Sequence, residues 1–292
     1  MSETPGSEEA VSGEGSFQQD PVVWQGFTRS ALDAAYNNMA AVPDSADRLA
    51  DWAARSAALR ARMPKELELA YGPHERNRID VFRSGQTHAP LLVFIHGGWW
   101  QRNSKEVFSC MAEGPLAHSM DVALVGYTLA PGARLTAIAA EINAALDWLQ
   151  AREAAGSCIL SGWSAGGHLT ALTMGHTYVA AGLSISGVFD LEPIRHSYIN
   201  DKLCLDTAEA RDLSPANLPP VAKPMVIAFG GRELPELQRQ STDYARQRAL
   251  LIPHTVTLPM AGHDHFSILD ELAAPDGLLC AQALALAGTL TP

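Results

Sequence analysis

Between residues 91 and 258 the chain carries six short apolar runs: Leu91–Ile95, Val122–Val125, Cys158–Leu160, Leu183–Ile185, Met225–Phe229 and Thr255–Leu258. Runs this short, rich in aliphatic and β-branched residues, read as strands buried on both faces. Helix-period stretches separate them. In Thr136–Arg152, Ile138, Ile142, Leu146 and Leu149 recur at spacings of 4, 4 and 3, which lines them along one face of a helix. Strand and helix alternating this many times predict an α/β fold with a mostly parallel central sheet, because crossover connections lay helices on both faces.

Ahead of this series, residues 27–63 predict an N-terminal helical lead-in. Leu49, Trp52, Leu59 and Met63 share a helix face, and Asp44 or Ser45 is placed to cap it. No Pro/Gly linker or internal repeat divides residues 21–292, so a single domain is expected there. Residues 1–20 differ. They hold Glu3, Glu8, Glu9, Glu14 and Asp20, no Lys or Arg, and no apolar core. Such a segment buries too little surface to offset its chain entropy and is expected to be a disordered acidic tail, neither signal nor transit peptide.

Composition narrows the functional classes. No apolar run approaches the roughly 18 residues of a membrane span, and a net charge of −11 without a basic stripe argues against nucleic acid as a partner. Cys110, Cys158, Cys204 and Cys280 form no C-x-x-C pair and have no histidine at metal-ligand spacing. Reduced thiols in a cytoplasmic protein, with no metal and no cofactor, are expected. A small-molecule substrate is the expected partner, and a homodimer is left open.

The third apolar run leads into Gly162-Trp163-Ser164-Ala165-Gly166 and then a small-residue helix. Strand, sharp glycine turn and helix in that order hold a serine hydroxyl at the carboxyl edge of a sheet, as in the nucleophile elbow of the α/β-hydrolase fold. Ser164 is therefore the candidate nucleophile. The first run ends in His96-Gly97-Gly98-Trp99-Trp100, where that fold places backbone donors for an oxyanion. The N–H groups of Gly98, Trp99 and Ala165 are the candidates, and His96 reads as a structural hydrogen-bonding residue. Gly97, Trp100 and Trp163 are candidate substrate contacts, and Trp99, Trp100 and Trp163 form either an aromatic wall or ordinary core.

A serine nucleophile needs a base late in the chain and a carboxylate between the two. His263 and His265 follow the last apolar run, whereas His168, one turn beyond Ser164, reads as a packed helix residue. On the turn after Met225–Phe229, Glu233 is preferred to Glu236 as the acid. Asp264, next to His265, reads as a loop stabiliser.

These segments together resemble the kynurenine formamidases (arylformamidases), α/β-hydrolases related to the hormone-sensitive-lipase esterases. The resemblance rests on His96-Gly97-Gly98-Trp99-Trp100-Gln101 and Gly162-Trp163-Ser164-Ala165-Gly166-Gly167-His168. It extends through Gly187-Val188-Phe189-Asp190-Leu191-Glu192-Pro193-Ile194, Tyr198-Ile199-Asn200-Asp201, Leu213-Ser214-Pro215, the segment Pro235-Glu236 to Arg239-Gln240-Ser241, and Asp264-His265-Phe266. It implies a triad of Ser164, the carboxylate at 233 and His265, selecting His265 over His263. The family usually carries Asp where this chain has Glu233. By the same resemblance the expected substrate is an aryl amide, N-formylkynurenine or another ortho-carbonyl anilide such as an N-acylanthranilate. The alternative is a short-chain acyl ester.

Overall fold

The computed structural model describes residues 1, 20–63, 65–153 and 156–289. The acidic tail expected over residues 1–20 lies outside them except at its two ends. All six apolar runs form strands: β5 (Leu91–Ile95), β6 (Asp121–Val125), β7 (Cys158–Trp163), β8 (Val179–Ile185), β9 (Met225–Gly230) and β10 (Thr255–Met260). Before them come a hairpin, β1 (Val22–Trp24) and β2 (Phe27–Thr28), and two strands that the apolar runs did not single out, β3 (Lys65–Ala70) and β4 (Arg78–Phe82). The sheet runs β10-β9-β8-β7-β5-β6-β4-β3. Pairing is parallel from β10 to β6 and antiparallel at β4 and β3.

Side chains leave this sheet alternately. Leu91, Val93 and Ile95 enter one apolar cluster with Ile138, Ile142, Leu146 and Leu149 of the helix Leu135–Arg152. Leu92 and Phe94 enter the other, with Trp52 and Leu59 of the lead-in and Leu279 and Ala283 of the helix Leu278–Ala287. Both faces are thus covered, and each fully buried aliphatic side chain contributes about 1.5–3 kcal/mol. This is the α/β-hydrolase architecture. Among the described residues no helix is long and apolar enough to cross a membrane.

The lead-in is helical but interrupted. In place of one stretch over 27–63, the chain forms helices Arg29–Ala35, Asn38–Ala41 and Ser45–Arg62 after the hairpin. The second break follows from Pro43, which lacks an N–H and holds Val42 extended at φ −123°, ψ 99°. Asp44 sits at the N-cap without a side-chain capping bond; its carboxylate accepts from Arg48 Nε at 2.9 Å instead.

The chain passes from β5 to β6 on one side, then returns across β5 to β7. Strand order reverses between β5 and β7, the position at which open parallel sheets leave a crevice beyond their carboxyl ends. The loop after β5 carries Gly97 to Trp100, and the turn after β7 carries Ser164.

Candidate active site

Ser164 sits between β7 and the helix Ala165–Thr173 with φ 57° and ψ −116°, a left-sided backbone that costs a non-glycine residue roughly 1–3 kcal/mol. Its surroundings hold it there. The Ser164 N–H donates to the Ile185 carbonyl at 2.8 Å, and its own carbonyl accepts from the His168 N–H at 3.0 Å. The flanking glycines are needed for approach. A Cβ at 162 would strike the Gly166 carbonyl, and one at 166 would strike the Ile95 carbonyl of the adjacent strand. The G-x-S-x-G spacing is thus a statement about backbone contact between strand and helix.

His265 and Glu233 arrive on loops after β10 and β9. His265 Nε2 lies 3.1 Å from Ser164 Oγ, and Nδ1 lies 3.1 Å from Glu233 Oε2. With the proton on Nδ1 donated to the carboxylate, Nε2 is left to accept from the serine. The Glu233 side chain is wholly buried, and its other oxygen accepts from Ser186 Oγ at 2.6 Å and the Gly230 N–H at 2.5 Å. Both bonds fix the carboxylate toward the imidazole. Trp163 Nε1 donates to the His265 carbonyl at 2.8 Å, pinning the histidine's backbone to the end of β7.

The other candidates lie elsewhere. Glu236 accepts from Arg239 and, at 3.3 Å, from Tyr36 Oη. His263 Nδ1 lies 3.2 Å from the Ser267 carbonyl. Asp264 accepts from the Phe266 and Ser267 N–H groups at 2.9 and 2.8 Å, holding the loop beneath His265. His168 is fully buried with Nε2 2.8 Å from the Leu213 carbonyl, and burial lowers its pKa to about 4.

His96 is stacked between Tyr127 and Phe108, with Nδ1 2.8 Å from the Gly97 carbonyl; burial again brings its pKa down to about 4. Asn103 Nδ2 donates to the same carbonyl at 3.2 Å. The loop so braced sets Gly98 at φ 120° and Trp99 and Trp100 at φ 54° and 58°. Among the described residues the N–H groups of Gly98, Trp99 and Ala165 have no hydrogen-bond partner. Gly98 and Trp99 line the same pocket as Ser164, and Ala165 opens the helix behind it. Unpaired donors and a helix start favour negative charge.

The pocket is walled by Trp99, Trp163, His265 and Phe266, with Asn38, Met39 and Leu49 contributed by the lead-in. Trp100 is not in its wall. That candidate substrate contact is fully buried in the core, edge-on to the His168 ring at 4.9 Å and 6.0 Å from the Trp99 ring. Gly97 also lies outside the wall; a Cβ there would meet Trp163 and Ser164. Sequence reasoning missed Asn38, Met39, Leu49 and Arg102, all of which line the pocket. No motif marks Asn38, Met39 and Leu49, which reach the site only through the path of the lead-in, while Arg102 lies on the loop after β5 just past the His96–Gln101 segment.

A family model described as BD-FAE matches residues 79–192, from β4 through the elbow and β8. The chain is 30% identical to a kynurenine formamidase of Salmo salar over 229 residues, covering 72% of this chain and 78% of that protein. A solved structure from Silicibacter sp., provisionally described as a thioesterase, superposes with TM-score 0.78 at 29% identity, covering 86% of this chain and 97% of that one. A thermostable carboxylesterase from a metagenomic library superposes with TM-score 0.69 at 18% identity, covering 87% and 99%, a likeness of fold. With the sheet, the elbow and this extent of identity in agreement, the chain is a hydrolase of the α/β-hydrolase fold and belongs to the kynurenine formamidase family.

Proposed function

We propose that the protein hydrolyses an aryl amide, N-formylkynurenine or a related ortho-carbonyl anilide such as an N-acylanthranilate, through an acyl-enzyme on Ser164. The observation that carries this reading is the continuous line from Ser164 Oγ through His265 to Glu233, with both contacts at 3.1 Å, beside unpaired backbone donors. Ser164 Oγ attacks the formyl or acyl carbon while His265 Nε2 takes its proton. The N–H groups of Gly98, Trp99 and Ala165 receive the oxyanion, each such donor being worth about 3 kcal/mol of barrier. Glu233 stabilises the imidazolium. His265 then protonates the departing arylamine, and a water activated by the same histidine releases the acid.

The family membership supports an arylamine leaving group. Arg102 lines the pocket and has no carboxylate partner among the described residues, so it is available to a substrate carboxylate. The reading includes a cytoplasmic enzyme whose partner is a small molecule, with neither nucleic acid nor membrane involved. A carboxylesterase on short acyl esters is the alternative, because the same triad can attack an ester and esters expel their leaving group more readily.

Parallel assays of N-formylkynurenine, an N-acylanthranilate and p-nitrophenyl acetate with wild type and Ser164→Ala test the reading. Turnover of an amide that Ser164→Ala abolishes is expected. Full activity in Ser164→Ala overturns the mechanism, and turnover of the ester alone leaves the esterase in place of the amidase.

A further inference from the structure

Asn38 begins the helix Asn38–Ala41 and is 4% exposed. Its backbone is satisfied, with the N–H donating to the Tyr36 carbonyl at 3.1 Å and the carbonyl accepting from the Val42 N–H at 3.2 Å. The side chain is not. Both Oδ1 and Nδ2 are buried without a hydrogen-bond partner among the described residues, although Asn38 forms part of the wall shared with Ser164, Trp99 and His265. An unpaired buried amide costs about 1–3 kcal/mol per polar group, and apolar residues such as Met39 and Leu49 line the same wall at no such cost.

The segment is also held firmly enough to keep the amide in place. Tyr36 Oη accepts from Gln240 Nε2 at 2.9 Å, the Tyr36 ring meets Trp99 edge-on at 6.0 Å, and Asn37 caps the turn by accepting from the Ala40 N–H at 3.2 Å. A carboxamide offers one acceptor and one donor group side by side. A free or acylated aniline with an ortho carbonyl offers the reverse pair, an N–H beside a C=O.

We propose that Asn38 is a specificity residue that reads the leaving group. Its Oδ1 accepts the aniline N–H and its Nδ2 donates to the ortho carbonyl, so the site selects ortho-carbonyl anilines over ring systems without that pair. The proposal rests on the aryl-amide reading for its substrate class, but it is tested by binding and not by turnover. A pocket built to hydrogen-bond a polar group discriminates strongly against analogues that lack it, because its own polar atoms are then left unpaired.

The test measures calorimetric Kd for 2-aminoacetophenone and for 2-methylacetophenone, which matches it in shape but has no N–H, in wild type, Asn38→Ala and Asn38→Leu. Wild type is expected to prefer the amine by about tenfold or more, and both variants to lose that preference. Thermal melting of Asn38→Leu is expected to stay level or rise, since the unpaired polar atoms are gone; a merely structural asparagine would lower it. Equal binding of the two ketones by wild type, or a preference that survives in both variants, overturns the proposal. Absence of wild-type turnover on N-formylkynurenine would sink the aryl-amide reading while leaving the Kd comparison to decide Asn38.

Discussion

Two regions meet at the pocket and are built by different means. The carboxyl edge of the sheet fixes Ser164 by backbone contact, with strand and helix touching where any Cβ would collide. The lead-in, by contrast, is fastened by side chains: Tyr36 to Glu236 and Gln240, Asp33 Oδ1 to the Tyr198 N–H at 2.6 Å, and Trp52 Nε1 to Asp270 at 2.9 Å. Backbone contact leaves little room for variation, and side-chain contact leaves much. Under the proposed function, the division gives chemistry to the sheet edge and choice of substrate to the lead-in.

The largest effect that would break this division belongs to Ser164→Ala. Loss of kcat on the order of 10⁵ is expected with unchanged melting, on amides and esters alike. A variant that kept its esterase rate would detach the elbow from the chemistry. Glu233→Gln comes next. By removing the charge opposite the imidazolium while keeping the shape, it should lower kcat about 10³- to 10⁴-fold. Glu236→Gln, whose partners are Arg239 and Tyr36, should cost less than about tenfold. Steady-state kinetics on one substrate ranks the pair, and a larger loss at 236 would overturn the assignment of the acid.

The same division explains what the sequence could reveal. The strands β5 to β9 were legible because burial on both faces demands unbroken apolar runs, and the observed ends differ from those runs by at most a few residues. β10, expected to be buried in the same way, is instead an edge strand with Val256 and Thr257 exposed, since only β9 pairs with it. The elbow was legible because Gly162 and Gly166 are forced by contact. Glu233 was legible by its place after β9 as the carboxylate that reaches His265, while its anchors Ser186 and Gly230 were not, since nothing in a sequence pairs residue 186 with 233. β3 and β4 escaped notice for another reason. Half-exposed, with Glu66 and Glu68 alternating with Leu67 and Leu69, β3 lacks the continuous apolar run that marks the central strands. In the lead-in the helix period was readable, but the break at Pro43 and the approach of Asn38 to Ser164 depend on where the whole segment docks.

Tyr36→Phe tests the fastening of the lead-in. It removes a hydroxyl that meets Glu236 and Gln240, leaving the buried Gln240 amide short of a partner. A loss of about 1–2 kcal/mol is expected, visible as a fall of several degrees in melting temperature. If the division holds, kcat for p-nitrophenyl acetate stays within about twofold of wild type while KM for an anilide rises. An equal fall in kcat on both substrates would mean that the lead-in also positions the reacting groups.

The smallest effect concerns acid. His96 and His168 both belong to the sheet edge, are buried, and have pKa values lowered by burial to about 4. An unfolded chain would protonate them near 6.5. Between pH 6.5 and 4 the unfolded state therefore holds protons that the folded state refuses, so stability rises with pH across that window. It is fully present above 6.5 and is lost as pH falls toward 4. Replacing His168 by Gln retains a side-chain donor for the Leu213 carbonyl but removes one titrating group. The difference in unfolding free energy between pH 8 and pH 5 should therefore shrink, by up to about 1.4 kcal/mol per pH unit below 6.5. Chemical denaturation at the two pH values measures it. An unchanged difference would mean that His168 keeps its ordinary pKa in the fold, and acid loss would then have to originate in the carboxylates that fasten the lead-in.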